Sequence, residues 1–249
     1  MSWWCSATGR PWTGAWQAYP GIWLCVLAVS GGAWRWRSRA GPWPRGARIA
    51  FAAGVLVLWA ALDWPLGALG SGYLLSVHTL QYVLLTFAAA PLVLRGLALP
   101  AGLDAGLPGP HPVFCLALYT ALVGATHLPG LVDGLMASPA GAMVLDGCWV
   151  LGGIALWWPV LHPQRHTRIP GLGQAAYLLA STLLPTVPAA MMTFSAYPLY
   201  RIYELAPPLG MITAHGDQVT AGLLMKFGGD PVIWWVATAT FFREARRAA

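Results

Sequence analysis

Apolar residues gather in long unbroken stretches near positions 18–34, 48–62, 72–94, 113–129, 139–160, 172–194 and 217–242, separated by short connections rich in Gly, Pro and Arg. None of the stretches alternates with the period of two that a half-buried strand would show. Each approaches the ~20 apolar residues that a helix needs to cross a ~30 Å hydrocarbon core. The pattern predicts an all-α integral membrane bundle of about seven transmembrane helices, one domain over residues 1–249, with residues 1–17 as an interfacial tail carrying Trp3, Trp4, Trp12 and Trp16. Breakers mark the ends. Gly41, Pro42 and Pro44 turn the first connection, Asp63-Trp64-Pro65 ends the second stretch and Thr126-His127-Leu128-Pro129 ends the fourth. Pro139 opens the fifth, and Pro185 and Pro188 kink the sixth.

Charge gives this pattern a direction. With the N-terminus outside, the inner connections carry Arg35, Arg37, Arg39, Arg45, Arg48, Arg95, Arg165, Arg168, Arg243, Arg246 and Arg247, which is 11 of the 14 Lys+Arg. Only Arg10 and Arg201 fall outside, and positive loops stay cytoplasmic, so the C-terminus is expected in the cytoplasm and the protein in a bacterial cell (inner) membrane, multi-pass. The composition agrees, at 57% hydrophobic and 9% charged, against roughly a quarter charged in soluble domains. The net charge of +6 reads as topology and contact with the lipid bilayer rather than with nucleic acid. Cys5, Cys25, Cys115 and Cys148 form no CxxC and differ in expected depth, which argues against a disulfide framework.

In this orientation the chemistry-bearing side chains collect on the outer side. His78, His127 and His215 lie there, with Asp63, Asp133, Asp146, Glu204 and Asp217, and with Met136, Met143, Met191, Met192 and Met211; Met225 is a few turns deeper. His111, His162 and His166 belong to inner loops. His78, Gln81 and Tyr82 are spaced to share one helix face. Two readings stand open for them: a site at the bundle centre, or an interhelical hydrogen-bond cluster that holds packing. Asp217 and Gln218 open the last stretch, where an acid also gains from the helix N-terminus. Imidazole and thioether groups at one depth suit a soft ion such as Cu(I), while Met is also an ordinary gap filler. Lys226 and Asp230, one helical turn apart inside the last stretch, are expected to neutralise each other as an intramembrane ion pair. The chain has no nucleophile beside a base, no phosphate-binding glycine loop and no zinc spacing, so no catalytic residue and no enzymatic turnover is expected.

The ordered series His78-Thr79-Leu80-Gln81, Thr126-His127-Leu128-Pro129, Trp157-Trp158-Pro159-Val160, Leu184-Pro185, Thr193-Phe194-Ser195 with Pro198-Leu199-Tyr200, and Asp217-Gln218 with Gly222 and Met225, resembles the multi-span CtaG family of cytochrome c oxidase assembly factors over roughly residues 45–242. The chain departs from the family pattern at Tyr82 and Gly147, where the family tends to carry His. The resemblance implies a copper-related assembly role for a respiratory heme–copper oxidase at the outer membrane face. Its expected partners are oxidase subunits or other respiratory membrane proteins and an outer-face copper chaperone. The expected ligands for Cu(I) are His78, His127, His215 and Met225, with Asp217 as ligand or orienter, and with Gln81, Tyr82, Asp146, Gln218 and Met192 lining the site. The alternative is a structural membrane subunit of a respiratory complex that has lost the metal site. A copper permease is a third reading, disfavoured because the inner halves of the stretches carry few ligands.

Overall fold

The computed structural model describes residues 2–97, 109–161, 169 and 171–248. His162, His166, Asp104, Arg165 and Arg168 lie outside the described residues. Helices account for the regular structure, and no strand occurs among the described residues. Each of the seven apolar stretches is helical. The first two are α1 (Pro20–Arg39) and α2 (Arg45–Leu62), followed by a short α3 (Leu66–Gly72). The third is a continuous rod made of α4 (Leu75–Val83), a π-helical turn π1 (Leu84–Ala89) and α5 (Ala90–Gly96). The fourth is α6 (Pro112–Thr126), and the fifth is α8 (Pro139–Leu161), with α7 (Pro129–Met136) between them. The sixth divides into α9 (Gly171–Ser181) and α10 (Thr186–Phe194). A short α11 (Arg201–Glu204) then leads to the seventh, α12 (Ala214–Leu224), a second π turn π2 (Met225–Gly229) and α13 (Asp230–Ala248).

Four of these rods are long and apolar enough to cross a membrane: Arg45–Leu62, Leu75–Gly96, Pro139–Leu161 and Gly171–Phe194. A fifth is added if α6 and α7, bent by 74° at their break, form one span. The break falls at His127-Leu128-Pro129, where Pro129 opens α7 and cannot donate back to α6. The expected single helix over 113–129 therefore stops at Thr126, and the chain turns sharply along the end of the bundle. Prolines start other helices as well, Pro20 in α1, Pro112 in α6 and Pro139 in α8, where the missing N–H costs nothing. The gap between α9 and α10 contains Pro185, with Pro188 in the first turns of α10.

The core is apolar and aromatic, with Trp149, Trp157, Tyr82, Tyr119, Leu85, Leu145 and Leu156 almost wholly buried. α2 packs on α5, α6 on α8, α10 on α12, α12 on α4, and α9 on α13. The two π turns meet inside it. A side chain added at Gly229 in π2 would stand 2.7 Å from the Phe87 ring in π1, so glycine there leaves room for that ring. A π turn releases carbonyls from the regular ladder. In π1 the Thr86 carbonyl accepts from the Trp157 indole at 3.0 Å, and the Thr86 hydroxyl donates to the Trp149 carbonyl at 3.3 Å.

The N-terminal tail does not simply lie at the surface. Trp4 and Cys5 are buried, at 3% exposure each. Gly21 N donates to the Trp3 carbonyl at 2.9 Å, and Ala7 N to the Met136 carbonyl at 3.0 Å. The tail is thus stitched to α1 at one point and to the end of α7 at another. A Cβ at Gly21 would meet the Trp3 carbonyl at 2.5 Å, which explains glycine there.

Candidate functional site

The site is organised by a helix start. Asp217, in the first turn of α12, accepts hydrogen bonds from Leu75 N at 2.6 Å and Ser76 N at 3.3 Å, and from the Ser76 hydroxyl. It thereby caps α4, a helix to which it does not belong. The carboxylate satisfies two of the orphan N–H groups of that helix and faces the positive end of its dipole. With α4 fixed at its start, His78, Gln81 and Tyr82 project from one face into the bundle, and all three are buried.

His78 is 4% exposed. Its ring stands edge-on to Trp149 of α8 with centroids 4.6 Å apart, and tilted against Tyr203 of α11 at 5.7 Å. Neither its Nδ1 nor its Nε2 has a hydrogen-bond partner. Tyr82 lies edge-on to His127 at 5.1 Å and to Trp149 at 5.7 Å. His127 is tilted against Trp149 at 6.4 Å. One tryptophan therefore touches His78, Tyr82 and His127 together. Trp149 is held in turn by its indole N–H, which donates to the Thr126 hydroxyl at 3.1 Å.

The second histidine has a defined tautomer. His127 Nδ1 is 2.8 Å from the Val123 carbonyl. A carbonyl only accepts, so Nδ1 carries the proton and Nε2 keeps its lone pair for another donor or a metal. The Tyr200 hydroxyl donates to the His127 carbonyl at 2.9 Å, which fixes the turn between α6 and α7. The Tyr82 and Tyr119 hydroxyls are 3.2 Å apart. Gln81 Nε2 donates to the Ala61 carbonyl at 2.9 Å, while its Oε1 has no partner. That oxygen lies 1.8 Å from where a Cβ on Gly70 would stand, so Gly70 allows α3 and α4 to close on each other. The Gly70 carbonyl also accepts from the Tyr203 hydroxyl at 2.6 Å, which locks the ring covering His78.

Other predicted site residues are engaged elsewhere. His215 is exposed on α12 and makes no contact with the two buried histidines. Asp217 serves α4 as described. Gln218 accepts from Leu199 N at 2.6 Å and donates to the Met192 and Tyr197 carbonyls at 3.3 and 3.2 Å, holding the outer connection onto α10. Met192 and Met225 are buried in the apolar core, and Met143 and Met191 are exposed. Asp146 in α8 accepts from the Trp4 indole N–H at 2.8 Å, so this buried carboxylate is met by the N-terminal tail. Asp146 stands one turn before Trp149 on α8, which sets the tail at the edge of the histidine chamber. Among the described residues, no three His, Cys, Asp or Glu side chains come together in a way that could hold a metal ion. What the fold does bring together is a pair of imidazoles in an aromatic cage. All four cysteines are free.

Deeper in the bundle, Lys226 Nζ is 2.6 Å from Asp230 Oδ2 and 2.6 Å from the Thr186 hydroxyl oxygen. The Thr186 hydroxyl donates onward to the Thr182 carbonyl at 2.8 Å. The expected ion pair is therefore formed, with the Lys226 side chain 37% and the Asp230 side chain 15% exposed, and it bridges the last helix to the break between α9 and α10.

Sequence reasoning missed Trp149, Tyr203 and Trp4 as members of this site. Trp149 was accessible from helical spacing, because it follows Asp146 by three positions. Tyr203 and Trp4 carry no such signal, since their contacts span the length of the chain.

The model of the cytochrome c oxidase caa3 assembly factor family (Caa3_CtaG) matches residues 30–247. The chain belongs to this family. Comparisons with curated proteins and with solved structures return no match. The cage of His78, Tyr82, His127, Trp149 and Tyr203 lies wholly within the matched stretch, whereas Trp4, which meets Asp146, lies before it.

Proposed function

We propose that this caa3 assembly factor holds Cu(I) transiently between His78 and His127 at the outer face of the membrane and passes it on during assembly of the oxidase, without catalytic turnover of its own. The observation that carries this reading is His78: a buried imidazole with both nitrogens unpartnered. Buried polar groups are normally satisfied, and one left open calls for a ligand. Two imidazoles with no third His, Cys, Asp or Glu grouped with them among the described residues suit a soft monovalent cargo better than a closed four-coordinate zinc site. Edge-on and tilted aromatic rings pack on the buried pair, and the Trp4 indole meets Asp146 one turn before Trp149.

Copper analysis under reducing conditions tests the proposal. Wild-type protein is expected to take up stoichiometric Cu(I). His78→Ala and His127→Ala are expected to weaken uptake by at least ~10-fold while protein levels in the membrane stay unchanged. His215→Ala is expected to bind as wild type, because His215 is exposed on α12 while the two cage histidines are buried. Absence of copper from the wild-type protein would leave the second reading, a scaffold for oxidase subunits. The aromatic packing of both histidines and the tyrosine at position 82 favour that alternative.

We further propose that all seven helical stretches span the bilayer, with the N-terminus outside and the C-terminus in the cytoplasm, placing the histidine cage in the outer half. The arginine asymmetry supports this orientation. In a cysteine-free background, a membrane-impermeant thiol reagent added outside should label Glu204→Cys and spare Arg39→Cys. The reverse pattern would put the cage on the cytoplasmic side.

A further inference from the structure

α1 stands partly away from α2 and leaves an apolar groove of about 610 Å³ between them. Trp23, Leu27 and Trp34 line it from α1, and Ala52, Leu56 and Trp59 from α2. At one end the lining gives way to arginine. Arg45 and Arg48 precede Ala52 on the same face of α2 and are exposed, while Arg35 and Arg39, also exposed, lie about 100° and 140° around α1 from Trp34. No acidic residue occurs anywhere before Asp63, so nothing on these two helices neutralises them. Arg37, between them in sequence, is 2% exposed. It donates to the Gly41 and Pro42 carbonyls at 3.4 and 3.2 Å, lies 5.6 Å over the Trp43 ring, and leaves its Nε without a partner. The turn between α1 and α2 is thereby braced by one buried arginine, while the other four are exposed.

From this juxtaposition we propose that the α1–α2 groove is a binding site for an anionic glycerophospholipid, with an acyl chain in the groove and the phosphate headgroup at Arg45 and Arg48. The lining is largely apolar along its length and gives way to arginine at one end, which matches an acyl chain carrying an anionic headgroup. Charge favours an anionic headgroup over a zwitterionic one, since each arginine at the headgroup level contributes roughly a five-fold preference. The tryptophans at both ends suit the two boundaries of an apolar slot.

Native mass spectrometry of delipidated full-length protein, titrated with phosphatidylglycerol or phosphatidylcholine of identical acyl chains, tests the proposal. The first lipid bound is expected to be phosphatidylglycerol. The Arg45→Gln/Arg48→Gln variant should lose ~20-fold of that preference, and the Arg45→Lys/Arg48→Lys variant should keep it. Ala52→Trp, which fills the groove at an exposed position and leaves every arginine in place, should remove the tight lipid. Equal affinity for the two lipids overturns the proposal, as does a preference that survives both the glutamine variant and the filled groove. Recovery of a second copy of the chain in place of lipid would assign the groove to self-association and overturn it equally.

Discussion

Asp217→Ala is expected to destabilise the protein by ~2–4 kcal/mol and to abolish copper uptake with it. The carboxylate is the shared acceptor for Leu75 N, Ser76 N and the Ser76 hydroxyl. Removing it strands buried donors at the start of α4, each costing ~1–3 kcal/mol, and hydrogen bonds to a charged acceptor lie at the upper end of the range. Because His78 sits one turn into α4, fraying of that turn moves the ring against Trp149 and Tyr203. Asp217→Asn retains one acceptor oxygen and should cost about half as much. Thermal unfolding in detergent together with copper binding separates the two roles considered for this residue. If Asp217 were a direct ligand, the Asn variant would lose copper at nearly wild-type stability. If it positions α4, stability and copper uptake should fall together, and Ser76→Ala should show the same trend more weakly.

Lys226→Met and Asp230→Leu should each destabilise the protein more than the double variant does. If the last helix spans the bilayer as proposed, each single change leaves one charge there without its partner at 2.6 Å, at a cost of up to ~2.5–3.5 kcal/mol, reduced for Lys226 by its 37% exposure. The double variant removes both charges and keeps the apolar volume, so it should fall within ~1 kcal/mol of wild type, giving a coupling of ~2 kcal/mol or more across the cycle. Thr186→Val should be milder than either single change, because Lys226 then loses a hydroxyl but keeps its counter-ion. Additive losses from the two single changes would assign the residues separate partners and dissolve the pair as a unit.

Much of the architecture could be read along the chain. Every apolar stretch became helix and Pro139 opened the fifth, whereas Pro129, expected only to end the fourth, also starts the short α7. The Lys226–Asp230 pair followed from spacing and from the cost of an isolated intramembrane charge. His78, Gln81 and Tyr82 share a buried face because i, i+3 and i+4 positions always do. Depth, however, is not direction. His215 and Asp217 lie at one depth but two residues apart, hence about 200° around the helix. The bundle buries Asp217 and leaves His215 exposed. Helical spacing within α12 contained that separation once Asp217 was known to face inward, but composition and depth did not reveal which face it was.

Sequence alone determined the class of the protein, the helical stretches, the arginine bias and one polar face on α4, because each depends on residues within a few turns of one another. Tertiary structure decided which of those residues form a site. Asp217 caps a helix 142 positions away, and Trp4 reaches Asp146 across the same separation of 142 positions. The 74° bend after Thr126 carries His127 to the cage, and two π turns meet through Gly229. These contacts are set by the azimuth of each helix and by how closely two backbones approach. Local periodicity constrains neither, since any rotation of a membrane helix that keeps its apolar length keeps its place in the bilayer, and only packing against the other helices selects one.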